Sequence, residues 1–106
     1  MPVLQKRDVD AQLEELTGWK RHGDEIRKKY EFASFAESMS FVNRVAALAE
    51  AADHHPDIEI KYNRVKLALS THSEGGVTEK DLGLAGQIDG GTPAEDEGTD
   101  GPDSGA

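Results

Sequence analysis

Apolar and polar residues follow two different periods along residues 1–89, and together they predict seven elements. Apolar residues spaced three to four apart predict three helices: one from a cap at Asp8 or Asp10 to Gly18, one from Ser34 to about residue 52, and one from Thr78 to about residue 90. Alternation with a period of two predicts four strands, over residues 19–22, 25–32, 57–62 and 65–70.

The long middle helix has a start signal and a broad apolar stripe. Ser34 and Glu37 have the spacing of a capping box, in which each side chain accepts a hydrogen bond from the other's backbone N–H. The apolar stripe comprises Phe35, Met39, Val42, Ala46 and Ala49, with Val45 and Leu48 at its margin. Such a stripe predicts a helix that lies on a sheet.

Turn residues between the strands predict two hairpins. Gly23-Asp24 separates the first pair of strands, and Asn63-Arg64 separates the second pair. A two-residue loop at Asn63-Arg64 predicts three apolar cross-strand pairs: Tyr62 with Val65, Ile60 with Leu67, and Ile58 with Leu69. The order α-β-β-α-β-β-α predicts an α+β fold of two layers, with a four-stranded antiparallel sheet and helices packed on one face.

Three of the four histidines are expected to converge. The same register, extended outwards, places His72 opposite His55, with His54 next to it. Glu50 lies one helical turn before His54. Thr78 is expected to cap the last helix, with Asp81 as its partner at the third helical position. The spacing alone leaves three interpretations open: general acid–base catalysis, a metal site that includes Asp81, or ordinary packing at a sheet end. The fourth histidine, His22, is interpreted as a surface residue.

Composition narrows the function classes. Residues 90–106 hold five acidic residues and no basic ones, so we expect a disordered acidic, Gly-rich tail after a domain over 1–89. The net charge of −9 argues against direct binding to nucleic acid or to anionic membranes. The chain has no cysteine, which excludes thiolate chemistry, and no apolar run long enough to span a membrane. A soluble, cytoplasmic protein is expected.

At the histidines the sequence resembles the pterin-4a-carbinolamine dehydratase family. The family signature is acid-x₃-His-His-Pro-x₅-aromatic-x₉-His-x₈-Asp, and this chain keeps every spacing. The matching residues are Glu50, His54, His55, Pro56, Tyr62, His72 and Asp81. The resemblance covers roughly residues 8–89.

The resemblance implies a lyase that removes water from 4a-hydroxytetrahydropterin and so supports tetrahydropterin recycling. By family analogy, His54 and His72 are the acid–base candidates and His55 positions or assists. Glu50 and Asp81 would orient imidazoles or bind the pterin's amino-pyrimidinone edge. The resemblance also implies no metal or other cofactor, and a homodimer or homotetramer. The alternative is a non-catalytic interaction, assembly or dimerisation cofactor on the same fold.

Overall fold

Three helices and four strands follow one another in the predicted order. The structure is a computed structural model that describes residues 2–90. Its elements are α1 (Lys6–Leu13), β1 (Lys20–His22), β2 (Glu25–Glu31), α2 (Phe35–Ala52), β3 (Asp57–Lys61), β4 (Arg64–Leu69) and α3 (Glu79–Gly90). The tail predicted over 90–106 lies, except for its first residue, outside the described part of the chain.

The four strands form one antiparallel sheet in the order β1-β2-β4-β3. One face of this sheet supplies Ile26, Val65, Leu67 and Leu69 to the core, where they pack with apolar residues of all three helices. The intervening residues on the opposite face are charged or small, as Arg27, Lys66 and Ala68 illustrate. Because the helices cover one face only, the predicted two-layer α+β architecture is confirmed.

Helix α2 begins where the sequence predicts, but it buries a different face. The Ser34 hydroxyl accepts a hydrogen bond from the backbone N–H of Glu37 at 3.1 Å, which confirms the cap. The buried residues of the helix are Ser38, Phe41, Val45 and Ala49. By contrast, Phe35 of the predicted stripe is 50% exposed. The prediction was wrong in part because α2 is apolar on more than one side, so periodicity alone does not select the buried face.

The start of α1 also differs from the prediction. The N-cap residue is Gln5, whose side chain makes no capping hydrogen bond, and Asp8 and Asp10 both lie inside the helix. The helix also ends at Leu13 rather than at Gly18. The Asp10 carboxylate instead pairs with the Arg21 guanidinium at 2.9 Å. The hydrogen bond from Arg21 lowers the pKa of Asp10. The predicted cap is therefore wrong, because Asp10 makes a tertiary contact with Arg21 instead of capping the helix.

The register of the β3–β4 hairpin is shifted from the predicted one by two residues. Lys61 pairs with Arg64, so the turn comprises Tyr62 and Asn63. Tyr62 has a φ of 52°, a left-handed conformation that its residue type did not suggest. A shift of two keeps the same side chains on the same face, which explains why the apolar pattern did not reveal the error.

Candidate active site

All four histidines lie at one end of the sheet. His22 ends β1, His54 and His55 precede β3, and His72 follows β4. The ladders pair His22 with Glu25, Arg27 with Ala68, and Ala68 with Asp57, so these strand ends lie at the same end of the sheet. The predicted direct pairing of His55 with His72 is wrong, because the β3–β4 ladder begins only at Asp57. The sheet therefore brings all four histidines to one end, although His55 and His72 are not a cross-strand pair.

The C-terminal end of α2 fixes the position of His54. Asp53 adopts a left-handed conformation with a φ of 52°, and the backbone N–H of His54 donates to the carbonyl oxygen of Ala49 at 3.0 Å. This is the hydrogen-bond pattern of a Schellman motif, and Pro56 follows at a position where a helix cannot continue. The local sequence therefore ends the helix and turns His54 inwards, where it is 8% exposed.

Asp81 binds His54 from the first turn of α3. The Asp81 side chain is fully buried, and its Oδ1 forms a hydrogen bond with Nε2 of His54. Its Oδ2 accepts hydrogen bonds from the hydroxyl of Thr71 and from the backbone N–H of Thr78, both at 2.9 Å. The contact with Thr78 is the predicted cap of α3. Asp81 therefore has two roles: it caps its own helix and holds an imidazole.

The hydrogen bonds around Asp81 select one tautomer of His54. The hydroxyl of Thr71 and the backbone N–H of Thr78 both donate to the buried Asp81 side chain, which suits the ionised carboxylate because that form can only accept. Nε2 of His54 must then carry a hydrogen and donate it to Asp81. In the neutral ring this leaves Nδ1 as the acceptor, and none of the hydrogen bonds within residues 2–90 involves that atom. Nδ1 is thus the ring nitrogen that can accept a hydrogen from a bound molecule.

His55 and Glu50 form a second imidazole–carboxylate pair, at the surface. Nε2 of His55 lies 2.7 Å from Oε2 of Glu50, with side-chain exposures of 58% and 75%. Glu50 lies on the last turns of α2, which explains why the two side chains meet. An exposed pair of this kind contributes little to stability, so its effect is to limit the orientations of the His55 ring.

His72 lies in a tight loop between β4 and α3. The loop is closed by a bridge between Thr71 and Gly76, and Gly75 has a φ of 83° that favours glycine. The His72 side chain is exposed, and within the described residues it makes no hydrogen bond or ion pair with His54 or His55.

A shallow pocket of about 310 Å³ lies beside His72. Its lining residues are His22, Asp24, Glu25, Ser70, His72 and Gly75. Neither His54 nor His55 lines this pocket, so the structure does not show one cavity shared by the three predicted imidazoles. It shows a buried pair, a surface pair and a separate histidine at the same sheet end.

Sequence reasoning missed two residues at this site. His22 was assigned to the surface, and it is exposed, yet it lines the pocket with His72. The first hairpin carried the signal, because its turn at Gly23-Asp24 places His22 at the sheet end. The sequence gives no sign of a role for Thr71, because a threonine at the end of a strand belongs to no motif with a characteristic spacing.

Among residues 2–90, no group of three or more histidine or carboxylate side chains could hold a metal ion. No helix in this part of the chain is long and apolar enough to cross a membrane.

Comparisons with known sequences identify one family. The family model described as "Pterin 4 alpha carbinolamine dehydratase" matches residues 2–90. A protein of Thermomicrobium roseum, named "Putative pterin-4-alpha-carbinolamine dehydratase", is 51% identical over 88 residues, which are 83% of this chain and 95% of that protein. A protein of the same name from Roseiflexus castenholzii is 52% identical over 82% of this chain and 94% of its own length.

Two solved structures resemble the fold. A transcriptional coactivator/pterin dehydratase from Brucella melitensis has a TM-score of 0.79 and 34% identity, covering 83% of this chain and 96% of that one. A pterin dehydratase-like protein identified as a RuBisCO assembly factor of the alpha-carboxysome has a TM-score of 0.56 and 25% identity. It covers 68% of this chain and 83% of its own.

Proposed function

The chain belongs to the pterin 4 alpha carbinolamine dehydratase family, and from this premise we propose that it removes water from 4a-hydroxytetrahydropterin to give quinonoid dihydropterin. The observation that carries the proposal is the buried hydrogen bond between His54 and Asp81. A buried carboxylate that holds an imidazole in one tautomer is an arrangement suited to proton transfer.

The reaction needs one proton donor and one proton acceptor. The bond between C4a and the hydroxyl oxygen breaks as that oxygen takes a proton and leaves as water. The substrate's N5 loses its proton, and the electron pair released there forms the new double bond to C4a. One proton is given and one is taken, so the protein's total number of protons is unchanged and there is no net redox change. The donor and the acceptor regain their starting forms by exchanging protons with solvent before the next turnover. Imidazoles suit both steps near neutral pH.

The contacts support distinct roles for the three histidines. His54, with Nε2 held by Asp81, offers Nδ1 as the proton acceptor for N5. His72 has no side-chain partner within residues 2–90, which leaves its ring available as the proton donor for the leaving hydroxyl. His55, held by Glu50, positions the substrate. Because both carboxylates already bind imidazoles, we assign Glu50 and Asp81 to orientation rather than to the pterin edge.

The test is the rate of dehydration of synthetic 4a-hydroxytetrahydropterin, followed by stopped-flow absorbance. We expect the wild-type protein to exceed the spontaneous rate, and His54→Ala and His72→Ala each to lower kcat about 100-fold, as for loss of an acid–base group. Lys61→Ala, at the opposite end of the sheet, is the matched control and should retain the wild-type rate. A wild-type rate equal to the spontaneous one would refute the proposal, and a chelator-sensitive rate would favour a metal.

One observation favours a second candidate function. The structural neighbour described as an assembly factor shows that this fold also occurs in a protein with a non-enzymatic description. A non-catalytic interaction or dimerisation cofactor is therefore the alternative for this chain. The two functions differ in the assay above, because an assembly factor needs no rate above the spontaneous one. Retention of His54, His55 and His72 supports the enzyme.

We also propose that the chain forms a homodimer or homotetramer through β3. This strand is an edge of the sheet and is exposed along its whole length, including Ile58 and Ile60 at 36% each. An edge strand with apolar side chains readily pairs with another strand, and a second copy of β3 offers the same surface.

Sedimentation equilibrium tests the association. We expect a dimer or tetramer for the wild-type protein and a monomer for Ile60→Lys, because a lysine would place an unpaired charge in the interface. Glu59→Gln changes the neighbouring side chain on the opposite face of β3 and serves as the control. A monomeric wild-type protein, or an unchanged mass for Ile60→Lys, would contradict association through this strand.

A further inference from the structure

We propose that Thr71 is a positioning residue that fixes the Asp81 carboxylate and, through it, the tautomer of His54. The catalytic importance of this role rests on the proposed function, whereas the contacts of Thr71 are observed directly. The Thr71 side chain is buried, with 7% of the residue exposed, and its Oγ1 lies 2.9 Å from Oδ2 of Asp81. Thr71 does not act on the substrate in this proposal.

The hydrogen bonds run in one direction through the two threonines. Thr71 has one hydroxyl hydrogen, and it is donated to the ionised Asp81. Oγ1 of Thr78 lies 2.8 Å from Oγ1 of Thr71, so the hydrogen between them must come from Thr78. The Thr78 oxygen in turn accepts from the backbone N–H of Lys80 at 3.2 Å. Each group has one defined role, and Asp81 Oδ1 is left for His54.

Thr71 also connects two parts of the site that share no side-chain contact. Its backbone N–H donates to the Gly76 carbonyl oxygen at 2.9 Å, and its own carbonyl oxygen accepts from Gly75 at 2.9 Å. These bonds shape the loop that carries His72, the next residue in the chain. The Thr71 side chain at the same time donates a hydrogen bond to Asp81. One residue therefore sets both the His72 loop and the carboxylate that orients His54.

The tautomer is measured directly by NMR of protein labelled with ¹⁵N-histidine. We expect the neutral His54 ring of the wild type to carry its proton on Nε2 only. Thr71→Val, which keeps the shape and removes the hydroxyl, should show a mixture of Nε2–H and Nδ1–H forms. Thr71→Ser should restore the single form. With four histidines in the chain, loss of one signal in His54→Gln assigns the resonance.

Kinetics supply the second readout. Thr71→Val should lower kcat for dehydration about 10-fold, as expected for loss of a group that orients another, with KM changed less than about twofold. It should also move the pH at which kcat/KM is half-maximal, and Thr71→Ser should reverse both effects. Thr17→Val, an exposed threonine remote from Asp81, is the control.

The two readouts separate failure of this inference from failure of the proposed function. A wild-type protein without dehydratase activity, but with a tautomer that depends on Thr71, would refute the function and retain the positioning role. An active protein whose His54 tautomer and pH profile are the same in Thr71→Val would overturn the positioning role. Circular dichroism and thermal unfolding of each variant show whether the fold is intact.

Discussion

The two ends of helix α3 carry the same residue type in different surroundings. Asp81, in the first turn, is fully buried, and its carboxylate forms hydrogen bonds with the His54 ring, the Thr71 hydroxyl and the Thr78 backbone N–H. Asp89, in the last turn, is 23% exposed in its side chain and accepts hydrogen bonds from Trp19, Lys28 and Tyr30. Each carboxylate faces three donors.

The difference lies in what the donors can do with their protons. The indole of Trp19 does not titrate, and the side chains of lysine and tyrosine ordinarily hold their protons throughout the neutral range. Asp89 therefore fastens the end of α3 to β2 and to the residue before β1. Asp81 instead contacts an imidazole, the side-chain type most often used in general acid–base catalysis. Both carboxylates have three hydrogen-bond partners, but Asp89 is a structural anchor and Asp81 belongs to a candidate acid–base pair.

The largest expected effect comes from replacing each aspartate with asparagine. Asp81→Asn should lower kcat for dehydration about 100-fold or more, because a neutral amide does not hold His54 in one tautomer or stabilise its protonated form. Asp89→Asn should leave kcat within about threefold of the wild type. It should instead lower the free energy of unfolding by about 1.5–3 kcal/mol, the range for a hydrogen bond to a charged group.

Stopped-flow kinetics and urea unfolding of the two variants measure both effects. Each variant is the matched control for the other, since the substitution is identical and both positions are on α3. The comparison fails if Asp89→Asn loses as much activity as Asp81→Asn while it remains folded. It also fails if Asp81→Asn retains full activity.

The parts of this fold that depend on neighbours in the chain were predictable. The Ser34 cap and the Thr78–Asp81 cap involve residues three positions apart, so their geometry follows from sequence spacing. The Gly23-Asp24 turn was predicted for the same reason, and the ladder confirms it by pairing His22 with Glu25. The element order followed from these local signals together with the two periods of apolar residues.

The contacts that define the candidate site were not predictable from spacing. His54 and Asp81 are 27 positions apart in the chain, and they meet only because α2 ends in a Schellman motif beside the start of α3. The register of the β3–β4 hairpin was ambiguous, because a shift of two residues leaves each side chain on the same face of the sheet. In the structure the turn comprises Tyr62 and Asn63, and Tyr62 adopts a left-handed conformation. Spacing and the family resemblance both made Asp81 a candidate, but the contact between Thr71 and Asp81 is seen only in the structure.

A smaller effect would sharpen the interpretation of Asp89 as an anchor. Burial, together with the hydrogen bond to Asp89, raises the pKa of Tyr30 far above its ordinary value of 10.0. The folded protein therefore keeps the Tyr30 proton at pH values where the unfolded chain has lost it. The stabilisation is fully present below about pH 10 and declines as the pH rises further, at up to about 1.4 kcal/mol per pH unit.

Tyr30→Phe isolates this contribution, since it keeps the ring that packs against Phe41 and removes the hydroxyl that donates to Asp89. Urea unfolding between pH 9 and 11 should show the wild type losing its advantage over Tyr30→Phe as the pH increases. Loss of charge on the lysine side chains is common to both proteins and cancels in the difference. A constant difference across this range would mean that the Tyr30 hydroxyl deprotonates as easily in the folded chain as in the unfolded one. The hydrogen bond to Asp89 would then not act as a permanent anchor, and the contrast between the two ends of α3 would rest on Trp19 and Lys28 alone.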